Sequence, residues 1–174
     1  PLQRLQYVDF SEWLMQSGLA LQKTFADRRI HSVYLDTPFL DDYQDNVSGM
    51  SKRGKIRFRW YNDERSKIVL ELKNKRGRLA NKLVIPLDNP TEAYPFDRTV
   101  SNGLLGCHRR SRALTREHCL FPCLHVQYER EYYEIAPNIR MTLDTDIHYQ
   151  KLFPIQTHSM RRSNVDVVAE FKYA

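Results

Sequence analysis

Cysteine is scarce in this 174-residue chain, and no long apolar run occurs in it. Three cysteines are too few, and odd in number, for a disulfide framework, which points to a reducing compartment and a cytoplasmic location. Apolar stretches such as Ile68-Val69-Leu70 fall far short of the roughly 20 residues a spanning helix needs, so no membrane insertion is expected. The N-terminus shows no charged region leading into an apolar signal core. There is no repeat of fixed period and no low-complexity linker. Hydrophobic residues at 41% and charged residues at 28% exclude a disordered tail. On length, one domain over residues 1–174 with a sizeable core is expected.

What the chain does have is positive charge in one place. Between Ser51 and Leu87 stand twelve Lys or Arg against three Asp or Glu, a net +9, while the other 137 residues sum to −3. A concentrated cationic field implies an anionic partner: nucleic acid, membrane surface or polyphosphate.

Residues Leu2 to Gln16 are predicted to form a helix whose apolar face includes Leu2, Leu5, Val8, Phe10, Trp13 and Leu14. Ile30 to Asp36, β-branched and aromatic, is a strand ended by Thr37-Pro38, and the acidic stretch from Asp41 to Asn46 a turn or short helix. From Lys55 the period is two: Lys55, Arg57 and Arg59 alternate with Ile56, Phe58 and Trp60, which gives one cationic and one apolar face. Lys67 to Lys75 repeats this, with Ile68, Leu70 and Leu72 opposing Val69, Glu71, Lys73 and Lys75, so the two strands form an antiparallel hairpin. Lys82 to Leu87 is a third strand. Helices are expected between Thr91 and Leu124. Alternation returns in His125 to Ile135, where Tyr128, Arg130 and Tyr132 share a face; in Ile139 to Asp146, where Arg140, Thr142, Asp144 and Asp146 share one; and in Val165 to Tyr173, where Glu170 and Lys172 do. Six or seven strands in one antiparallel sheet make an α+β protein.

These charged faces are either the wet side of an open sheet or the lining of a closed one. In a barrel, crowded cations repel one another unless an anion neutralises them, so a cationic interior requires a bound polyanion. Glu71 lies two residues from Lys73, and Glu170 two from Lys172. Carboxylates beside phosphate-binding cations supply the hard oxygen ligands of a Mg²⁺ or Mn²⁺ site, although each Glu is equally able to pair with a neighbouring cation.

Several stretches together resemble one family: Ile30 to Thr37, Lys55-Ile56-Arg57-Phe58-Arg59-Trp60-Tyr61, Leu70-Glu71-Leu72-Lys73 with Lys75-Arg76-Gly77, Tyr128-Glu129-Arg130, Arg140 to Asp146, and Glu170-Phe171-Lys172-Tyr173. The chain is thereby similar to the catalytic domain of vacuolar transporter chaperone (VTC) proteins, within the triphosphate tunnel metalloenzyme or CYTH-like superfamily. The resemblance implies an antiparallel β tunnel, a barrel with a cationic lumen and helices packed outside. It implies binding of ATP, triphosphate or polyphosphate with a divalent metal, Mn²⁺ or Mg²⁺, and a polyphosphate polymerase-like phosphotransferase using ATP. It makes Lys55, Arg57, Arg59, Lys73, Lys82, Arg130, Arg140 and Lys172 phosphate-binding or catalytic residues, and Glu170 and Glu71 metal ligands. The family's first strand belongs before Pro1 and a lysine-bearing segment after Ala174, so the domain is expected to be trimmed at both ends.

Three rival functions stay open on residue types. An inorganic or organic triphosphatase would use the same cations with water as acceptor, and a polyphosphate-binding module would need no turnover. Single-stranded nucleic acid could stack on Phe58, Trp60 and Tyr61, but alternation sends Phe58 and Trp60 to the face opposite the arginines, so nucleic acid is not the expected partner. Zinc is not expected from Cys107, His108, His118, Cys119, Cys123 and His125, which show neither paired Cys-X-X-Cys spacing nor a His-X-X-X-His pair.

Overall fold

The computed structural model describes residues 12–16, 18, 21–87, 120–152, 162–164 and 167–173. The fold is α+β, with the described strands β1 (Gln22–Asp36), β2 (Lys52–Tyr61), β3 (Val69–Arg76), β4 (Leu79–Pro86), β5 (Phe121–Ala136), β6 (Ile139–Lys151), β7 (Arg162–Asn164) and β8 (Val168–Tyr173), and a short helix, α1 (Asp41–Val47), besides the helical residues 12–16. All eight strands join one sheet in the order β4-β3-β2-β1-β5-β6-β7, with β8 also pairing with β6. Eight strands stand where six or seven were expected. One addition is β7. β1 also begins eight residues earlier than Ile30, because Gln22 to Arg29 lacks an apolar alternation and is nearly all exposed; the ladder rather than the side-chain pattern holds it extended.

The chain divides into two compact units. One takes in His31–His125 and Gln150–Met160, the other Pro1–Ile30, Val126–Tyr149 and Arg161–Ala174.

In the first unit β2 and β3 pair antiparallel with Phe58 opposite Leu70 and Ile56 opposite Leu72, and β3 and β4 with Leu72 opposite Leu83. Opposed residues share a face, so the predicted hairpin places Ile56, Phe58, Trp60, Ile68, Leu70 and Leu72 on one apolar side. There they form the core with Val33, Leu35, Leu87 and Leu120. Phe58 is fully buried and Trp60 nearly so. Lys67 falls in a 3₁₀ turn (Arg65–Lys67) rather than in β3. Buried Asp36 fixes α1: its carboxylate accepts from the backbone N–H groups of Thr37, Asp42 and Tyr43 at 2.8, 3.0 and 2.9 Å.

In the second unit residues 12–16 are helical, and buried Leu14 packs with Ile135 and Met141. Trp13, placed on the same apolar face from sequence, is instead exposed, since neighbours on a helix point about 100° apart. β6 and β8 pair antiparallel with Arg140 opposite Lys172 and Thr142 opposite Glu170. Residues 2–11 of the predicted N-terminal helix, and the stretch 91–119 where helices were expected, lie outside the described residues.

Candidate functional site

The register of the three-stranded region decides which cations meet. Lys55 of β2 stands opposite Lys73 of β3, which stands opposite Lys82 of β4. A step along, Arg57 stands opposite Glu71, and Arg59 opposite Val69. All lie on the face away from the Phe58 core, so the five cations predicted here share one surface with one carboxylate. Like charges directly opposite one another destabilise an antiparallel pair, and a row of three lysines across three strands is therefore a cost that function has to justify.

Glu71 organises the cluster. Arg57 Nε donates to its Oε2 at 2.7 Å and Arg57 Nη2 approaches the same oxygen at 2.7 Å. Lys82 Nζ donates to Oε1 at 2.7 Å, and Arg59 Nη1 lies 3.6 Å from Oε2. Burial pushes the Glu71 carboxyl up, but the Lys82 hydrogen bond and the charges of Arg59 and Arg57 outweigh it and hold it below the usual carboxylate range. Burial alone would lower Arg57; Tyr34 and Glu71 reverse this and raise it. Glu71 and Arg59 are 5% and 7% exposed, so the polar face is not simply wet where they stand. Lys55 and Lys73 are exposed.

Two residues that the sequence reading passed over belong to this cluster. Tyr34 Oη accepts from Arg57 Nη1 at 3.0 Å, and Ser32 Oγ from Arg59 Nε at 3.3 Å. The alternation of Ser32 and Tyr34 with buried Val33 and Leu35 was the signal that could have found them.

The remaining predicted residues sit in the other unit. Arg130 of β5 grips Asp144 of β6 through Nε to Oδ1 at 2.5 Å and Nη2 to Oδ2 at 2.7 Å, a bidentate fork. Arg130 is likewise lowered by burial but raised on balance by Asp144 and by Tyr128 and Tyr132. Arg140, opposite Lys172, is exposed, and Lys172 Nζ lies 3.3 Å from Glu170 Oε2 with both side chains about half exposed. Thr142 and Asp144 on this face are buried, and Thr142 Oγ1 has no hydrogen-bond partner among the described residues.

Among the described residues, no three His, Cys, Asp or Glu side chains are grouped to hold a metal ion. Of the two predicted metal ligands, Glu71 is held by Arg57, Arg59 and Lys82, and Glu170 lies beside Lys172. Of the cysteine and histidine stretch, Cys107, His108, His118 and Cys119 lie outside the described residues. Cys123 donates to the Tyr34 carbonyl at 3.3 Å, and its thiol is pushed up to about 12, first by burial and then by Asp36. His125 lies with its Nε2 3.4 Å from His31 Nδ1, and both rings stack on Trp60.

The VTC domain family model matches residues 3–174, and the chain belongs to that family, within the triphosphate tunnel metalloenzyme or CYTH-like superfamily. No curated protein matches it. A solved structure, the PH1819 protein from Pyrococcus horikoshii OT3, is similar at 16% identity over 80% of this chain and 71% of that one, with a TM-score of 0.41.

Proposed function

We propose that this VTC-domain protein binds triphosphate or polyphosphate on the cationic face of β2, β3 and β4, together with a divalent metal, and transfers phosphate from ATP to a growing polyphosphate chain. The observation that carries the proposal is the cationic surplus around Glu71. One carboxylate faces Arg57, Arg59 and Lys82, and the row Lys55, Lys73 and Lys82 runs alongside. Such a surplus, partly withdrawn from water, is stabilised by an anion longer than one phosphate. Phosphoryl transfer needs little besides this, because its catalysis is mostly positioning and charge neutralisation. Arginine forks bind phosphate oxygens bidentately, and the lysines act as point charges. Glu170, with Lys172 beside it, is the proposed protein ligand of Mn²⁺ or Mg²⁺, which would supply charge neutralisation to phosphate, and Arg130 and Arg140 are proposed as phosphate-binding residues of the other unit. A closed tunnel is the arrangement the family implies for this sheet.

Calorimetric titration with tripolyphosphate tests the binding, and incubation with ATP and Mn²⁺ followed by gel analysis tests the reaction. Long chains support a polymerase; orthophosphate as the sole product makes the protein a triphosphatase. Binding without turnover leaves a polyphosphate-binding module, and absence of tripolyphosphate binding overturns the proposal.

A further inference from the structure

Glu71 sits where an anion belongs. Its two oxygens receive Arg57 through two nitrogens and Lys82 through one, each at 2.7 Å, with Arg59 at 3.6 Å. Those nitrogens are the same donors that a phosphate oxygen would take on this face. The cations are otherwise anchored from behind, Arg57 by Tyr34 and Arg59 by Ser32, and those anchors do not depend on Glu71. A buried carboxylate that is already ionised and saturated by three cations has poor remaining capacity for a metal, since binding one would bring further positive charge into the cluster.

We propose that Glu71 is a resident counter-ion that competes with the incoming anion for Arg57 and Lys82, rather than a metal ligand. The inference deepens the function proposed above and rests on its placing of anions at Arg57. In the empty site Glu71 neutralises part of the charge. An entering anion takes over its donors, and the carboxylate is displaced. The displacement is a fixed cost for any anion seated at Arg57. A single phosphate has few other contacts to offset it, whereas a chain that also reaches Lys55 and Lys73 has several, so Glu71 sets a threshold that favours long phosphates over short ones.

Sulfate is the probe for the test, because it stays a dianion across the working range and so separates protein protons from ligand protons. Glu71→Gln keeps the shape and removes the charge. It is expected to bind sulfate on the order of tenfold or more tightly than the parent, as removal of a like charge a few ångströms from the anion requires. Weaker or unchanged sulfate binding by a variant that still melts cooperatively would overturn the proposal, and would make Glu71 a positioning residue or a metal ligand. Should Glu71→Gln fail to fold, the parent itself provides the readout. Displaced from its cations, the carboxyl must rise toward its usual range, so sulfate binding near pH 4 is expected to take up protons. No uptake overturns the proposal. Parent protein that fails to bind tripolyphosphate while Glu71→Gln gains sulfate would sink the proposed function and the preference for long phosphates, and leave Glu71 standing as a counter-ion that competes for Arg57 and Lys82.

Discussion

Two polar faces, one in each unit, each bury a carboxylate against arginine, yet they do so with different charge balance. On β5 and β6, Asp144 meets Arg130 in a one-to-one bidentate fork. On β2, β3 and β4, Glu71 meets Arg57, Arg59 and Lys82, so charge of one sign dominates. A balanced fork braces neighbouring strands whether or not a ligand is present. A surplus does not stabilise the fold by itself: its like charges repel, and an anion relieves that repulsion. The contrast is one of charge balance, where burial and distance look alike: an anion at Arg130 meets a cation already matched by one carboxylate, an anion at Arg57 a cluster with cations in excess.

The largest expected effect lies behind the surplus. Phe58, between Arg57 and Arg59 but on the opposite face, is fully buried in the core. Phe58→Ala is expected to cost about 3–5 kcal/mol of stability in urea denaturation, while the arginines beside it keep their anion-binding role wherever the variant stays folded. Arg57→Ala or Arg59→Ala is expected to invert that result, weakening tripolyphosphate binding by roughly 1.5–3 kcal/mol in calorimetry with the fold retained. If both arginine variants bind like the parent, the surplus is merely a solvated face.

Asp144→Asn sharpens the comparison from the other unit. Loss of one side of a largely buried fork is expected to lower stability by roughly 1.5–3 kcal/mol. The gain in anion affinity is expected to be smaller than that of Glu71→Gln, because among the described residues this carboxylate pairs with Arg130 alone. An equal gain in both variants would erase the distinction.

The cationic face was legible in the sequence because a period of two needs no tertiary information: Lys55, Arg57 and Arg59 had to share a side. The hairpin followed from a turn between two such runs. The charge balance was not legible. That Glu71 opposes Arg57, and Lys73 opposes Lys82, is a matter of register, and a shift of one residue would have placed Glu71 against the core. Tyr34 and Ser32 were missed for a related reason. They come from a strand distant in sequence, and their side-chain types also suit an ordinary strand face. The first half of β1 was missed because Gln22 to Arg29 is held by backbone pairing and carries little pattern.

Acid should act on the Glu71 cluster in a definite direction. A carboxyl held below its unfolded value stabilises the fold fully above that value, near 4.3, and loses the contribution as pH falls through the lowered folded value. Glu71→Gln is expected to be less stable than the parent by about 1–3 kcal/mol at pH 7. The gap is expected to stay constant down to about pH 5 and to shrink below it. Urea melts of both proteins at pH 7, 5 and 3.5 measure it, and a gap unchanged at the lowest pH would mean that the ion pairs add nothing to stability.

The smallest effect concerns Thr142, on the face that carries the balanced fork. It is 9% exposed, stands opposite Glu170, and its Oγ1 has no hydrogen-bond partner among the described residues. A buried hydroxyl without a partner costs roughly 1–3 kcal/mol of desolvation, and replacing it with a methyl of the same shape removes that cost. Valine is also β-branched, so the strand keeps its rotamer preference and its packing. Thr142→Val is therefore expected to be neutral or to stabilise by up to about 1 kcal/mol, seen as a higher urea midpoint with an unchanged slope. Ser32, whose hydroxyl accepts from Arg59, provides the contrast: Ser32→Ala is expected to destabilise, since it strips a buried guanidinium of an acceptor. If Thr142→Val lost stability in the way expected of Ser32→Ala, the Thr142 hydroxyl would be bonded in solution, and the face around Asp144 would depend on its polar contacts no less than the face around Glu71 does.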